Sequence, residues 1–149
     1  MAESTFVYVI YIASQPQAVW NALLDGKFTR QYWDHENVSD WQPGSAWEHR
    51  RLDAAGTVDI LGEVIEARSP HRLVMSWAQP QDKARKERYS RVTFDIEQVA
   101  DMVRLTITHD ELETGSEMLR KISEGWPRVL SSLKSMLETG RPLQTWAGR

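Results

Sequence analysis

One stretch constrains the fold of this chain more than any other. From Glu117 to Leu137, apolar residues recur at spacings of three and four: Leu119, Ile122, Trp126, Val129, Leu130, Leu133 and Leu137. That pattern is a single stripe along a helix. Thr114 and Glu117 have capping-box spacing ahead of it, and Gly140 and Pro142 close it. No other segment carries so long a helical period, so the rest of the chain must be arranged around this element. Its middle is contradictory, because Gly125 and Pro127, both helix breakers, flank Trp126, a side chain large enough to demand burial. Pro127 offers no N–H to the carbonyl of Ser123 and pushes Trp126 away from helical backbone. The sequence therefore predicts a kink near Gly125, or a restart with Pro127 as the first helical residue.

The surface this stripe needs is supplied by strands. "TFVYVIYI", Thr5 to Ile12, is β-branched and aromatic throughout. Ser14 and Gln17 have capping-box spacing, with Pro16 in the first turn of a short helix that Gly26 ends; Val19, Trp20, Leu23 and Leu24 form its apolar face. "KFTRQYW" makes a second short helix, with Phe28, Tyr32 and Trp33 facing inward. Beyond Val38 the period changes to alternation, in "SAWEHRRL", "TVDILGEVIEA", "HRLVMSWA", "ERYSRVTFDIEQV" and "DMVRLTITHDEL". Val92, Phe94 and Ile96 share one face, as do Val103, Leu105, Ile107 and His109; Arg91, Thr93, Asp95, Arg104, Thr106 and Thr108 suit solvent on the other. Gly62 inside "ILGEV" fits a bend that curves the sheet. The expected architecture is α+β: an antiparallel meander with one wet face, its other face covered by the long helix. A curved sheet touches a helix better at its ends than in its middle, which leaves a gap suited to a ligand.

At 149 residues the chain is expected to be one domain, with its core at about 5–140 and a tail at 141–149. A net charge of -3 gives no electrostatic case for nucleic acid or an anionic membrane, and the absence of cysteine rules out disulfides and thiolate chemistry. The apolar run near the N-terminus reads as a strand rather than a signal peptide, and no segment is long enough to span a bilayer, so a cytoplasmic protein without membrane insertion is expected. Gln79 to Ser90 reads as a solvated, mobile loop.

The segments "QPQAVWNALLDGKFTRQYW", "GEVIEARSPHRLVMSW", "SRVTFDIEQV", "LTITHDEL" and "GWPRVLSSLKSMLETG", in this order, resemble the START-like helix-grip superfamily, also called SRPBCC. Within it they are most similar to homologues of the activator of heat-shock protein 90 ATPase. The resemblance runs from about Phe6 to Gly140. It implies a curved antiparallel sheet around a long C-terminal helix, with an apolar cavity between them. The superfamily spans lipid carriers, plant hormone binders, aromatic cyclases and co-chaperones, so it leaves the function open.

Seven tryptophans are more than a small core needs, and suit a cavity wall or an interface as well as ordinary packing. Trp33, Trp47, Met75, Trp77, His109, Met118 and Trp126 are the candidate ligand-binding residues, as pocket wall or as filling. His35 and His71 sit beside turns and read as exposed; His49 can point either way; His109 reads as a core or rim histidine before a general base. Ser76 and Ser90 have no evident histidine partner, and Asp59 and Glu63 read as a wet strand face. Neither a metal site nor a cofactor is indicated, and no catalytic residue is assigned. The leading expectation is a non-enzymatic binder of an apolar or amphipathic small molecule. The alternatives are a polyketide-cyclase or hydrolase-type enzyme using His109 or His49, and a co-chaperone-like module. Trp41 or Trp146 on an exposed patch makes a homodimer plausible.

Overall fold

The structure, a computed structural model, describes residues 2–145. Strand β1 (Glu3–Ile12) is followed by helices α1 (Pro16–Leu24) and α2 (Gly26–Tyr32). Strands β2 (His35–Ser39), β3 (Ala46–Arg51), β4 (Val58–Arg68), β5 (Arg72–Trp77), β6 (Ser90–Val99) and β7 (Met102–Glu113) come next, and helix α3 (Glu117–Thr139) completes the fold. All seven strands form one antiparallel sheet in the order β1-β7-β6-β5-β4-β3-β2. Every strand but the first thus pairs with its neighbour in sequence, and β1 closes onto β7. This is the helix-grip α+β architecture.

The inward face of the sheet and the stripe of α3 share one core: Val92, Phe94, Ile96, Val103, Leu105 and Ile107 meet Ile122, Trp126, Val129, Leu130 and Leu133. Register breaks in β1, β3 and β4 supply irregularities that curve a sheet. Gly62 serves a different need from bending alone. A Cβ at this position would lie 2.0 Å from the Ser76 carbonyl oxygen and 2.7 Å from the Trp47 indole nitrogen. Only glycine lets the backbone of β5 and the Trp47 ring approach so closely.

The helix starts differ from the capping boxes expected. Gln15, not Ser14, caps α1, without a side-chain hydrogen bond, and Pro16 opens the first turn. Asp25 is at once the last residue of α1's cap and the N-cap of α2, where its carboxylate accepts from the Lys27 amide at 2.9 Å. Gly26 therefore begins α2 rather than merely ending α1. At α3 the cap is Ser116, whose hydroxyl accepts from the Leu119 amide at 3.1 Å, while Thr114 bonds Ser4 in β1. A restart at Pro127 does not occur: α3 runs as one helix from Glu117 to Thr139, through Gly125 and Pro127, and stops at Gly140 with φ of 82°. Trp126 is buried in the core, and that packing overrides the local preference. Thr93, expected in solvent, is buried between the Arg91–Asp110 and Arg72–Asp95 ion pairs of its face. Trp146 lies outside the described residues.

Candidate functional site

Between α3 and the β3–β4–β5 side of the sheet lies a cavity of about 600 Å³. Its apolar wall is Trp33, Trp77, Met118, Ile122, Trp126 and Val129. Each comes from a different need of the fold. Trp33 caps the C-terminus of α2 and is held inward beside Tyr32, whose hydroxyl, fully enclosed, donates to the Ala22 carbonyl at 2.8 Å. Burial raises the Tyr32 pKa well above its ordinary value, so it stays a neutral donor. Trp77 ends β5, and Trp126 occupies the middle of the α3 stripe. The rings converge: Trp126 stands 5.3 Å from both Trp33 and Trp77, at tilts of 59° and 51°. Gly125 also lines the cavity, so helix backbone itself forms part of the wall. Arg51 and Lys121, both exposed, mark its open side with Asp59.

Of the residues singled out from sequence, Trp33, Trp77, Met118 and Trp126 thus meet at one cavity, while Trp47, Met75 and His109 lie behind its wall. Trp47 is wholly buried and its indole N–H donates to the Ser76 carbonyl at 2.8 Å. Met75 is core beneath the sheet face. His109 is fully enclosed: its Nδ1 accepts from the Trp126 indole at 3.1 Å, and its Nε2 lies 2.8 Å from the Ser90 hydroxyl. An indole can only donate, so Nε2 carries the proton and gives it to Ser90, whose own hydroxyl donates to the Trp77 carbonyl at 3.2 Å. Ser90 therefore does have a histidine partner. Burial pushes the His109 pKa down to about 3, against a smaller opposing pull from Asp110. Both ring nitrogens are committed, and neither reaches the cavity.

The polar residues outside that ligand-binding set, His49 among them, are on the other side of the cavity. His35, expected to be exposed, is buried on β2 and stacks face to face on His49, with centroids 4.0 Å apart and planes 6° apart. The short turn after α2 leads directly into β2, which is why His35 is drawn under rather than left at the surface. Its Nδ1 is 3.1 Å from the Trp33 carbonyl and its Nε2 is 2.7 Å from Asp59. Arg51 grips the other side of that carboxylate at 2.9 Å, so Asp59 is no spare wet-face acid. Those donors hold the Asp59 pKa below its ordinary value, against burial, which alone would raise it.

His49 points inward from β3, and its Nδ1 is 2.5 Å from the Asn37 side-chain oxygen. Burial first, and the neighbouring His35 second, push its pKa well below the ordinary value; Asp59 opposes more weakly. His49 is a neutral imidazole at the cavity wall. Near it, the Trp77 indole N–H is buried with no hydrogen-bond acceptor among the described residues. Gln79, Pro80 and Gln81 also border the cavity, so the loop from Gln79 contributes to the wall rather than standing clear of it. His49, named from sequence as an alternative acid–base group that could point either way, shares an inward face with Trp47; nothing in the sequence signals its pairing with Asn37. Among the described residues, no group of three or more histidine, aspartate or glutamate side chains is placed to hold a metal, and no helix is long and apolar enough to cross a membrane.

Comparison with solved structures matches this geometry to one fold. The Aha1 dimer from Colwellia psychrerythraea superposes with a TM-score of 0.75 at 19% identity, over 92% of this chain and 98% of that one. An HSP90 activator from Plasmodium falciparum gives 0.73 at 23% identity, over 89% and 95%. CalU16 from Micromonospora echinospora gives 0.70 at 20% identity, over 91% and 77%. At these identities the likeness is one of fold. No curated protein matches the chain significantly. Residues 13–138 match the family of activator of Hsp90 ATPase homolog 1-like proteins, and the chain belongs to that family.

Proposed function

We propose that the protein binds a small apolar or amphipathic molecule, aromatic or lipid-like, in the cavity between the sheet and α3. The cavity carries this reading. Its volume of about 600 Å³ falls in the range of small-molecule sites, roughly 300–1,000 Å³. Its wall combines rigid indoles with flexible Met118, and its charged groups are gathered at the open side, as suits a ligand with one polar end. Three wall indoles make the protein its own reporter. Titration with a panel of fatty acids, lysolipids and aromatic metabolites should shift the Trp emission and raise the unfolding temperature for some members. A flat response in both across the panel would sink the proposal.

His49 favours a second reading, an enzyme of the polyketide-cyclase or hydrolase type. Unlike His109, it borders the cavity and is oriented by a partner on its far nitrogen. Mass-spectrometric detection of turnover from poly-β-ketone or ester probes, lost in His49→Gln, would support it; unchanged probes would remove it. Kinship supports a co-chaperone role as well, and stimulation of an Hsp90 ATPase by the chain is its test. The Colwellia neighbour is a dimer. Sedimentation of this chain would show whether it also pairs with a second copy.

A further inference from the structure

We propose that the cavity selects a neutral, hydroxylated aromatic molecule of phenol type, whose hydroxyl donates its proton to Nε2 of His49. This rests on the binding reading above and narrows it to a ligand class.

The argument begins with Asn37. Its amide nitrogen faces the Leu23 carbonyl at 3.5 Å, so its oxygen is the end turned to His49. That oxygen can only accept, which assigns the proton of His49 to Nδ1 and leaves a bare lone pair on Nε2. No described residue donates to that nitrogen. Nor is it among the sealed polar atoms, a state that among the described residues is found at the Trp77 indole nitrogen. His49 is therefore an oriented acceptor on the wall of a chamber that Trp33, Trp77 and Trp126 also line.

Its neighbour fixes that role. His35 faces two acceptors, the Trp33 carbonyl and the Asp59 carboxylate. His35 is paired with Asp59 and opposes a charge on the His49 ring stacked 4.0 Å away. His49 is kept as an acceptor rather than a donor.

The surroundings decide which donor it takes. Trp33 lies 4.6 Å from His49, Trp77 lies 6.3 Å from it, and Trp126 joins the two indoles, so a flat ring has faces to stack on. A carboxylate has no proton to give. An ammonium has protons, but Arg51 and Lys121 oppose its charge, and the carboxylate of Asp59 is already held by Arg51 and His35. A phenol is flat, neutral and a stronger donor than an alkanol.

Matched naphthyl probes test this on the intact chain. We expect 2-naphthol to bind about tenfold more tightly than naphthalene or 2-methoxynaphthalene, the worth of roughly one hydrogen bond. 2-Naphthoate and 2-naphthylmethylamine should bind more weakly than 2-naphthol. His49→Phe should erase the advantage of 2-naphthol over naphthalene. In the wild-type protein labelled with nitrogen-15, 2-naphthol should move the His49 Nε2 resonance and naphthalene should not, which decides the matter even if the variant fails to fold. Equal binding of naphthol and naphthalene with an unmoved resonance overturns this inference and leaves the binding reading intact. Tightest binding of the amine also overturns it. If no naphthyl probe binds, the chamber is not an aromatic site and this inference falls, while the fatty-acid and lysolipid arms of the panel decide the binding reading.

Discussion

His109 on β7 and His49 on β3 both turn inward among tryptophans, and burial keeps both uncharged, yet their second nitrogens meet opposite surroundings. In His109 one nitrogen accepts from Trp126 and the other donates to Ser90, so the ring is a rivet between α3 and the sheet. In His49 one nitrogen is fixed by Asn37 and the other has no partner among the described residues. Burial and a depressed pKa are common to both and so cannot identify a site. Unfulfilled hydrogen-bonding capacity next to a cavity can.

The comparison can be broken most forcefully at Trp126, which touches both regions. Trp126→Ala should destabilise the protein by about 3–5 kcal/mol in urea unfolding, through loss of packing and of the donor to His109. It should also remove any ligand response. Next, His109→Phe should cost about 2–3 kcal/mol, since it strands the buried Trp126 N–H and takes a partner from Ser90, whereas His49→Phe, which strands the Asn37 oxygen alone, should cost about 1–2 kcal/mol. If the two variants cost the same, the distinction between rivet and acceptor is wrong.

Acid should sharpen the same contrast. The folded-state pKa of His109, about 3, lies below the ordinary value of 6.5, and that of His49 is lowered in the same direction. The unfolded chain therefore takes up protons that the folded chain refuses. The stability tied to these rings is intact above pH 6.5 and is lost as the pH falls towards 3. Each neutral histidine contributes a slope of about 1.4 kcal/mol per pH unit within that window. Urea midpoints compared at about pH 7 and about pH 5, above the ordinary carboxylate range, should fall on acidification, and His109→Phe should flatten the fall by one histidine's share. A pH-independent midpoint would mean that His109 is not held neutral. The smallest effect is expected from Ser90→Ala, about 1 kcal/mol, since it removes one partner of His109 and leaves Trp126 bonded.

The sequence made the fold legible because its two periods are unambiguous: threes and fours from Leu119 to Leu137, and alternation in β6 and β7. Alternation also put Trp77 on an inward face, and helical spacing did the same for Trp126. Parity could not separate Trp77, at the cavity, from Met75 and Trp47, beneath it, because all three point inward and only depth distinguishes them. His35 was misjudged because β2 is short and lacks a clear alternating pattern, so its burial depends on pairing with β3. The Asn37–His49 and Ser90–His109 bonds join residues 12 and 19 positions apart across a strand pair. Register, which no local pattern states, creates such contacts.

Gly125 has a consequence for selectivity. It places bare helix backbone against the cavity, directly beside Trp126. Every other α3 residue on that wall brings a side chain, so Gly125 is the helix position at which the wall has room to gain one. A methyl group there would shorten the longest molecule the chamber admits without touching the hydrogen-bonding group on β3. Size and chemical preference are thus written on different elements, and relatives on this scaffold could alter one while keeping the other.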